Sequence, residues 1–95
     1  MNARETAERH ANDVVAGNLT GLMGDFAGTA MADLMGSGAM PPNPTTKWRI
    51  LSETPVGEQV QFHVRYENDT EQLELETTWQ LLGDTWRIVK AGKVS

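Results

Sequence analysis

Four runs of alternating apolar residues between Trp48 and Val94, joined by short turn-forming segments, constrain this 95-residue chain most. Leu82-Gly83-Asp84-Thr85 offers Gly-Asp as a two-residue hairpin loop, because glycine adopts the positive φ such turns need. That loop sets Leu81 opposite Trp86 and Trp79 opposite Ile88. Asn68-Asp69-Thr70-Glu71 reads as a second tight turn. Closing it on Asp69-Thr70 pairs Tyr66 with Leu73, Val64 with Leu75, Phe62 with Thr77 and Val60 with Trp79. Pro55-Val56-Gly57 fits the three-residue loop of a type I turn followed by a left-handed glycine. It pairs Ser52 with Val60, Ile50 with Phe62 and Trp48 with Val64.

These three loops together place Trp48, Ile50, Val60, Phe62, Val64, Tyr66, Leu73, Leu75, Thr77, Trp79, Leu81, Trp86 and Ile88 on one face. A one-residue slip would turn a strand's whole set to the other side, so the agreement specifies a four-stranded antiparallel meander. The other face reads as polar rows, Arg49-His63-Glu76-Ala91 and Arg65-Glu74-Lys93. A milder row, Leu51, Gln61, Thr78 and Val89, is where a second copy could dock its own sheet.

Residues 2–16 carry Ala3, Ala7, Ala11, Val14 and Val15 at helical spacing, opposite Arg4, Glu5, Glu8, Arg9 and Asp13. Glu5 and Arg9 form an i,i+4 pair. Gly17 sits where a left-handed C-cap belongs, and Asn18 is the next N-cap. A short second helix follows, with Leu19, Leu22, Met23 and Phe26 as its inward stripe. Gly28 breaks it and Thr29 caps a third helix, with Met31, Leu34 and Met35 inward and Gly36 at its end. The expected architecture is one α+β domain over residues 1–95. Helices span about 2–36, a loop 37–46 and a sheet 47–94, with the helices on one sheet face.

A net charge of −5 without a basic stripe argues against nucleic acid as a partner. Zero cysteines remove thiolate nucleophiles, disulfides and Cys-type zinc sites. No apolar leader is read at the N-terminus and no run is long enough to cross a membrane, so the expected location is cytoplasmic. Neither a cofactor nor a metal is expected: the two histidines, His10 and His63, stand far apart without matched acids.

The Ala16-Gly17-Asn18-Leu19 junction resembles the Gly-Asp-Leu junction of the nuclear transport factor two-like superfamily. Thr78 to Val89, Thr-Trp-Gln-Leu-Leu-Gly-Asp-Thr-Trp-Arg-Ile-Val, resembles that superfamily's closing strands. The resemblance implies a cystatin-like cone, a curved sheet around N-terminal helices that is often a homodimer. Its members include ketosteroid isomerases, SnoaL-like cyclases and a dehydratase. Typical members carry an extra strand or hairpin between the second and third helices, for which residues 27–30 leave no room.

Enzymes of that kind place a carboxylate or His inside the cone as a base, with a Tyr or an acid as oxyanion donor. The inward polar groups of the sheet are Tyr66, Thr77, Ser52 and Lys90 opposite Thr77; its carboxylates and His63 point outward. Asp25 and Asp33 on the helices remain as candidate bases, with Tyr66 as donor, and burial beside Trp and Phe raises an Asp pKa. His10 lies at the edge of the apolar stripe, where a neighbour satisfies it. Phe26, Met31, Met35, Trp48, Phe62, Tyr66, Trp79 and Trp86 form the expected ligand pocket. The base-poor inner face favours a non-catalytic homodimer that binds a small apolar ligand or a protein partner. The alternative is an acid–base isomerase, cyclase or dehydratase.

Overall fold

A computed structural model describes residues 2–38 and 40–94 of the chain. Three helices, α1 (Ala3–Ala16), α2 (Leu19–Asp25) and α3 (Ala30–Gly36), precede an open antiparallel sheet. Its strands are β1 (Lys47–Val56), β2 (Gln59–Glu67), β3 (Gln72–Leu82) and β4 (Thr85–Lys93), in the order β1-β2-β3-β4. This is the expected α+β meander, with the helices on one face.

Asn2 caps α1 by accepting from the Glu5 amide at 2.8 Å, while the Glu5 carboxylate takes the Asn2 amide at 3.0 Å. This capping box satisfies two amides at the helix start. It also occupies Glu5, so the expected Glu5–Arg9 pair is absent and Arg9 turns to Asp13 at 2.6 Å and to Asp25. Gly17 ends α1 at φ 71°, ψ 27°, and the Asn18 side chain accepts from the Gly21 amide at 3.2 Å. That abrupt reversal folds α2 back beside α1. After α2 the chain joins the edge of β4 through the Ala27 amide and the Ile88 carbonyl, 2.9 Å apart.

Ala3, Ala7 and Ala11 are buried, and their small side chains let α1 lie close to the sheet. Beneath them Phe62, Trp79 and Ile88 are fully enclosed with Val64, Tyr66, Leu75 and Ala91. The buried Trp79 indole N–H donates to Thr77 Oγ1 at 3.1 Å, which removes the penalty for an orphaned donor.

β2 and β3 pair as expected, from Tyr66–Leu73 to Val60–Trp79. The β3–β4 turn falls at Gly83-Asp84, with Gly83 at φ 69°. Two bulges correct the rest of the register. One lies in β1 between Ile50 and Ser52, so Trp48 faces Tyr66 and Ile50 faces Val64. β1 then runs on through Pro55 to Val56, and Gly57-Glu58 is the turn in place of Pro55-Val56-Gly57. Pro55 is tolerated because β1 is an edge strand and owes no hydrogen bond on its outer side. Ser52 consequently pairs with the outward-facing His63 and leaves the inner face. A second bulge, between Thr78 and Trp79, sets Ala91 rather than Lys90 opposite Thr77. Ala91 is buried and Lys90 exposed, the reverse of the expected arrangement.

On the outer face Arg49 lies opposite Arg65 instead of in a row with His63. His63 Nε2 meets Glu74 at 2.6 Å, and Arg65 donates to the same carboxylate at 3.1 Å. These two donors hold Glu74 below its ordinary pKa, the Arg65 hydrogen bond acting more strongly than that of His63.

Candidate functional site

The helical layer does not close over the sheet. Between them lies a cavity of about 270 Å³, lined mostly by Val14, Leu19, Leu22, Phe26, Leu34 and Leu75 and by four methionines. Its polar contributors are His10, Tyr66 and Thr77. Because α2 and α3 are one or two turns long, Leu19, Met23 and Met35 stand at the mouth and remain exposed, not packed inward as their spacing suggests. Met40 and Pro41, from the loop of residues 37–46, complete the rim; Ala39 of that loop lies outside the described residues.

His10 is the residue whose part is changed most by the fold. It is 7% exposed, with its ring edge-on to Trp79 (5.5 Å between centroids) and to Phe26 (5.8 Å). Its Nδ1 lies 2.7 Å from Asp25 Oδ2, while Arg9 donates to Asp25 Oδ1. Burial works to raise the Asp25 pKa, but the hydrogen bonds from His10 and Arg9 outweigh it and hold the carboxyl below its ordinary value. Asp25 is therefore a carboxylate at neutral pH. A carboxylate only accepts, so Nδ1 donates in this pair and Nε2 is the ring nitrogen not committed to Asp25. The expectation of a raised Asp25 pKa is overturned by these two donors.

Tyr66 is 3% exposed and lines the cavity. Burial raises its pKa well above the ordinary tyrosine value, so it stays a hydroxyl donor throughout the physiological range. Asp33 is exposed and accepts from Thr29 Oγ1 at 3.3 Å, away from the cavity. Of the three candidate catalytic residues, then, Tyr66 lines the cavity, Asp25 supports its wall through His10, and Asp33 stands apart.

No protein-family model matches the chain, and neither a curated protein nor a solved structure does.

Of the expected pocket residues, Phe26, Met31, Met35 and Tyr66 line the cavity. Phe62 and Trp79 do not, because they are consumed by the core. Trp48 packs at the edge of the core and donates from Nε1 to Asn12 of α1 at 2.8 Å, and Trp86 borders a separate polar cleft with Thr6, Arg9 and Asp25. His10 was readable only as a satisfied neighbour of the apolar stripe. Its partner is 15 residues away and reaches it through the reversal at Gly17. Among the described residues no group of three or more His, Asp or Glu side chains could hold a metal ion. Nor is any helix long and apolar enough to cross a membrane.

Proposed function

We propose that this domain binds a small, largely apolar molecule in the cavity between the helices and the sheet. The observation that carries the reading is the lining itself: an apolar pocket with only three polar contributors, one of them the Tyr66 hydroxyl, whose pKa burial raises. Binding sites for small molecules have this character, an apolar wall with a few placed polar groups. The cavity holds roughly the volume of nine waters, which sets the ligand's size at the small end. Tyr66 favours a ligand bearing one acceptor oxygen, such as a ketone. Titration with prodan, a neutral naphthalene ketone, tests this. Saturable fluorescence gain that weakens several-fold in Tyr66→Phe supports the reading; no saturable gain, or one indifferent to filling the cavity with Val14→Trp, overturns it.

A second reading adds proton transfer. Its support is His10, whose Nδ1 is fixed by Asp25 while the ring lines the same cavity as Tyr66. An imidazole held this way can take a proton at Nε2 while Asp25 stabilises the resulting cation. A ketone bound with its carbonyl at Tyr66 then exchanges the hydrogens on its neighbouring carbons. Deuterium uptake from heavy water that is lost in His10→Gln supports this, and uptake no faster than in buffer overturns it. Both readings agree with the nuclear transport factor two-like resemblance. The row Leu51, Gln61, Thr78 and Val89 is broken by the two bulges, which pair Gln61 with Thr54 and Thr78 with Lys90 and leave Thr78 buried. A homodimer, proposed on the resemblance alone, predicts a two-subunit mass by sedimentation.

A further inference from the structure

All four methionines among the described residues line one cavity. Met23 comes from α2, Met31 and Met35 from α3, and Met40 from the loop that follows. Three of them are also largely exposed, Met23 by 62%, Met35 by 60% and Met40 by 61%, while Met31 is half-buried. Three separate segments thus bring thioethers to the same mouth, where water and the cavity meet. The chain has no cysteine, so thioethers are its entire sulfur chemistry. We infer that Met23, Met35 and Met40 form a peroxide-modification site that controls entry to the apolar cavity. The inference rests on the reading that the cavity binds an apolar ligand.

The step is a two-electron oxygen transfer. A thioether lone pair attacks one oxygen of hydrogen peroxide, the S–O bond forms as the O–O bond breaks, and the departing hydroxide takes the proton to leave as water. Sulfur is oxidised to the sulfoxide and peroxide is reduced. The product replaces a soft apolar group with a strong dipole, which disrupts methionine-rich contacts and is reversible by sulfoxide reductases. On an ordinary surface that change costs little. Here each sulfoxide stands on the rim of a pocket whose walls offer almost no polar partner, so an apolar ligand meets a hydrated collar in place of a matching one.

Linkage makes a second signature: a ligand that covers the mouth shields the sulfurs, so binding and oxidation oppose each other. The test compares prodan binding before and after hydrogen peroxide, with oxidised positions mapped by peptide mass spectrometry and folding followed by circular dichroism. Met23, Met35 and Met40 are expected to oxidise before Met31. Affinity for prodan then falls at least tenfold with the helical signal intact, methionine sulfoxide reductases restore it, and prodan slows the oxidation. In a Met23→Leu, Met35→Leu, Met40→Leu variant, peroxide no longer lowers the affinity relative to the same variant left untreated. Unchanged affinity with these positions fully oxidised overturns the inference and leaves the binding reading standing. So does loss of the helical signal on oxidation, which would make the methionines structural. If untreated protein fails to bind prodan, the binding reading fails and takes this inference with it.

Discussion

His10 Nδ1 and Asp25 Oδ2 lie 2.7 Å apart, joining the middle of α1 to the last residue of α2. Arg9 holds the other oxygen of the same carboxylate. One buried acid therefore fixes the angle between two helices and orients an imidazole on the cavity wall.

Removing that charge tests its structural share. Asp25→Asn keeps the shape but loses two charge-assisted hydrogen bonds, for an expected loss of about 1–3 kcal/mol. In a domain of this size each kcal/mol lowers Tm by about 4–8 °C. Thermal melts of the two proteins at neutral pH check this.

Acid should reproduce the effect in the wild type. The folded-state pKa of Asp25 lies below its ordinary value of 3.8, so the unfolded chain takes up the proton first. The contribution is complete above that ordinary value and disappears as pH falls through the lower, folded one. Urea unfolding across an acid series reads it as a slope that is shallower in Asp25→Asn.

Core and rim should respond very differently to truncation. Phe62 is completely buried, so Phe62→Ala should cost about 3–5 kcal/mol. Leu81 is 47% exposed at the end of β3, and Leu81→Ala should cost under about 1 kcal/mol. Chemical denaturation of both variants checks the contrast.

Two glycines of α2 offer a sharper comparison. At Gly24 a methyl group meets nothing within 4 Å, so Gly24→Ala should stabilise by about 0.5–1 kcal/mol through helix propensity. At Gly21 the same methyl lies 2.7 Å from Asp13 Oδ2 and 2.8 Å from Asn18 Nδ2, so Gly21→Ala disturbs the Asn18 cap and cancels that gain. Melting temperatures should rise for the first variant and not for the second.

The hairpins β2–β3 and β3–β4 were legible because their turns carry their own conformational demands and their strands alternate cleanly. The bulges were not: an extra residue leaves no mark in a pattern where Leu51 or Val89 is equally acceptable on either face. Pro55 looked like a turn residue because its tolerance on a free edge depends on strand order, which sequence periodicity does not carry. Spacing put Leu19 and Met23 on the inward stripe of α2 and Met35 on that of α3, whereas all three stand exposed. It could not show that helices this short, without an intervening hairpin, would leave the stripe lining an opening. The His10–Asp25 contact depends on the angle at Gly17, a three-dimensional outcome of one left-handed residue.

The most direct test of the binding cavity is methyl NMR on labelled methionines during a prodan titration. Saturable shifts at Met23, Met31, Met35 and Met40, accompanied by the Tyr66 ring and not by His63 on the outer sheet face, are the predicted result. Silent methionines, or shifts centred on His63 and Arg65, would contradict the cavity as the functional site.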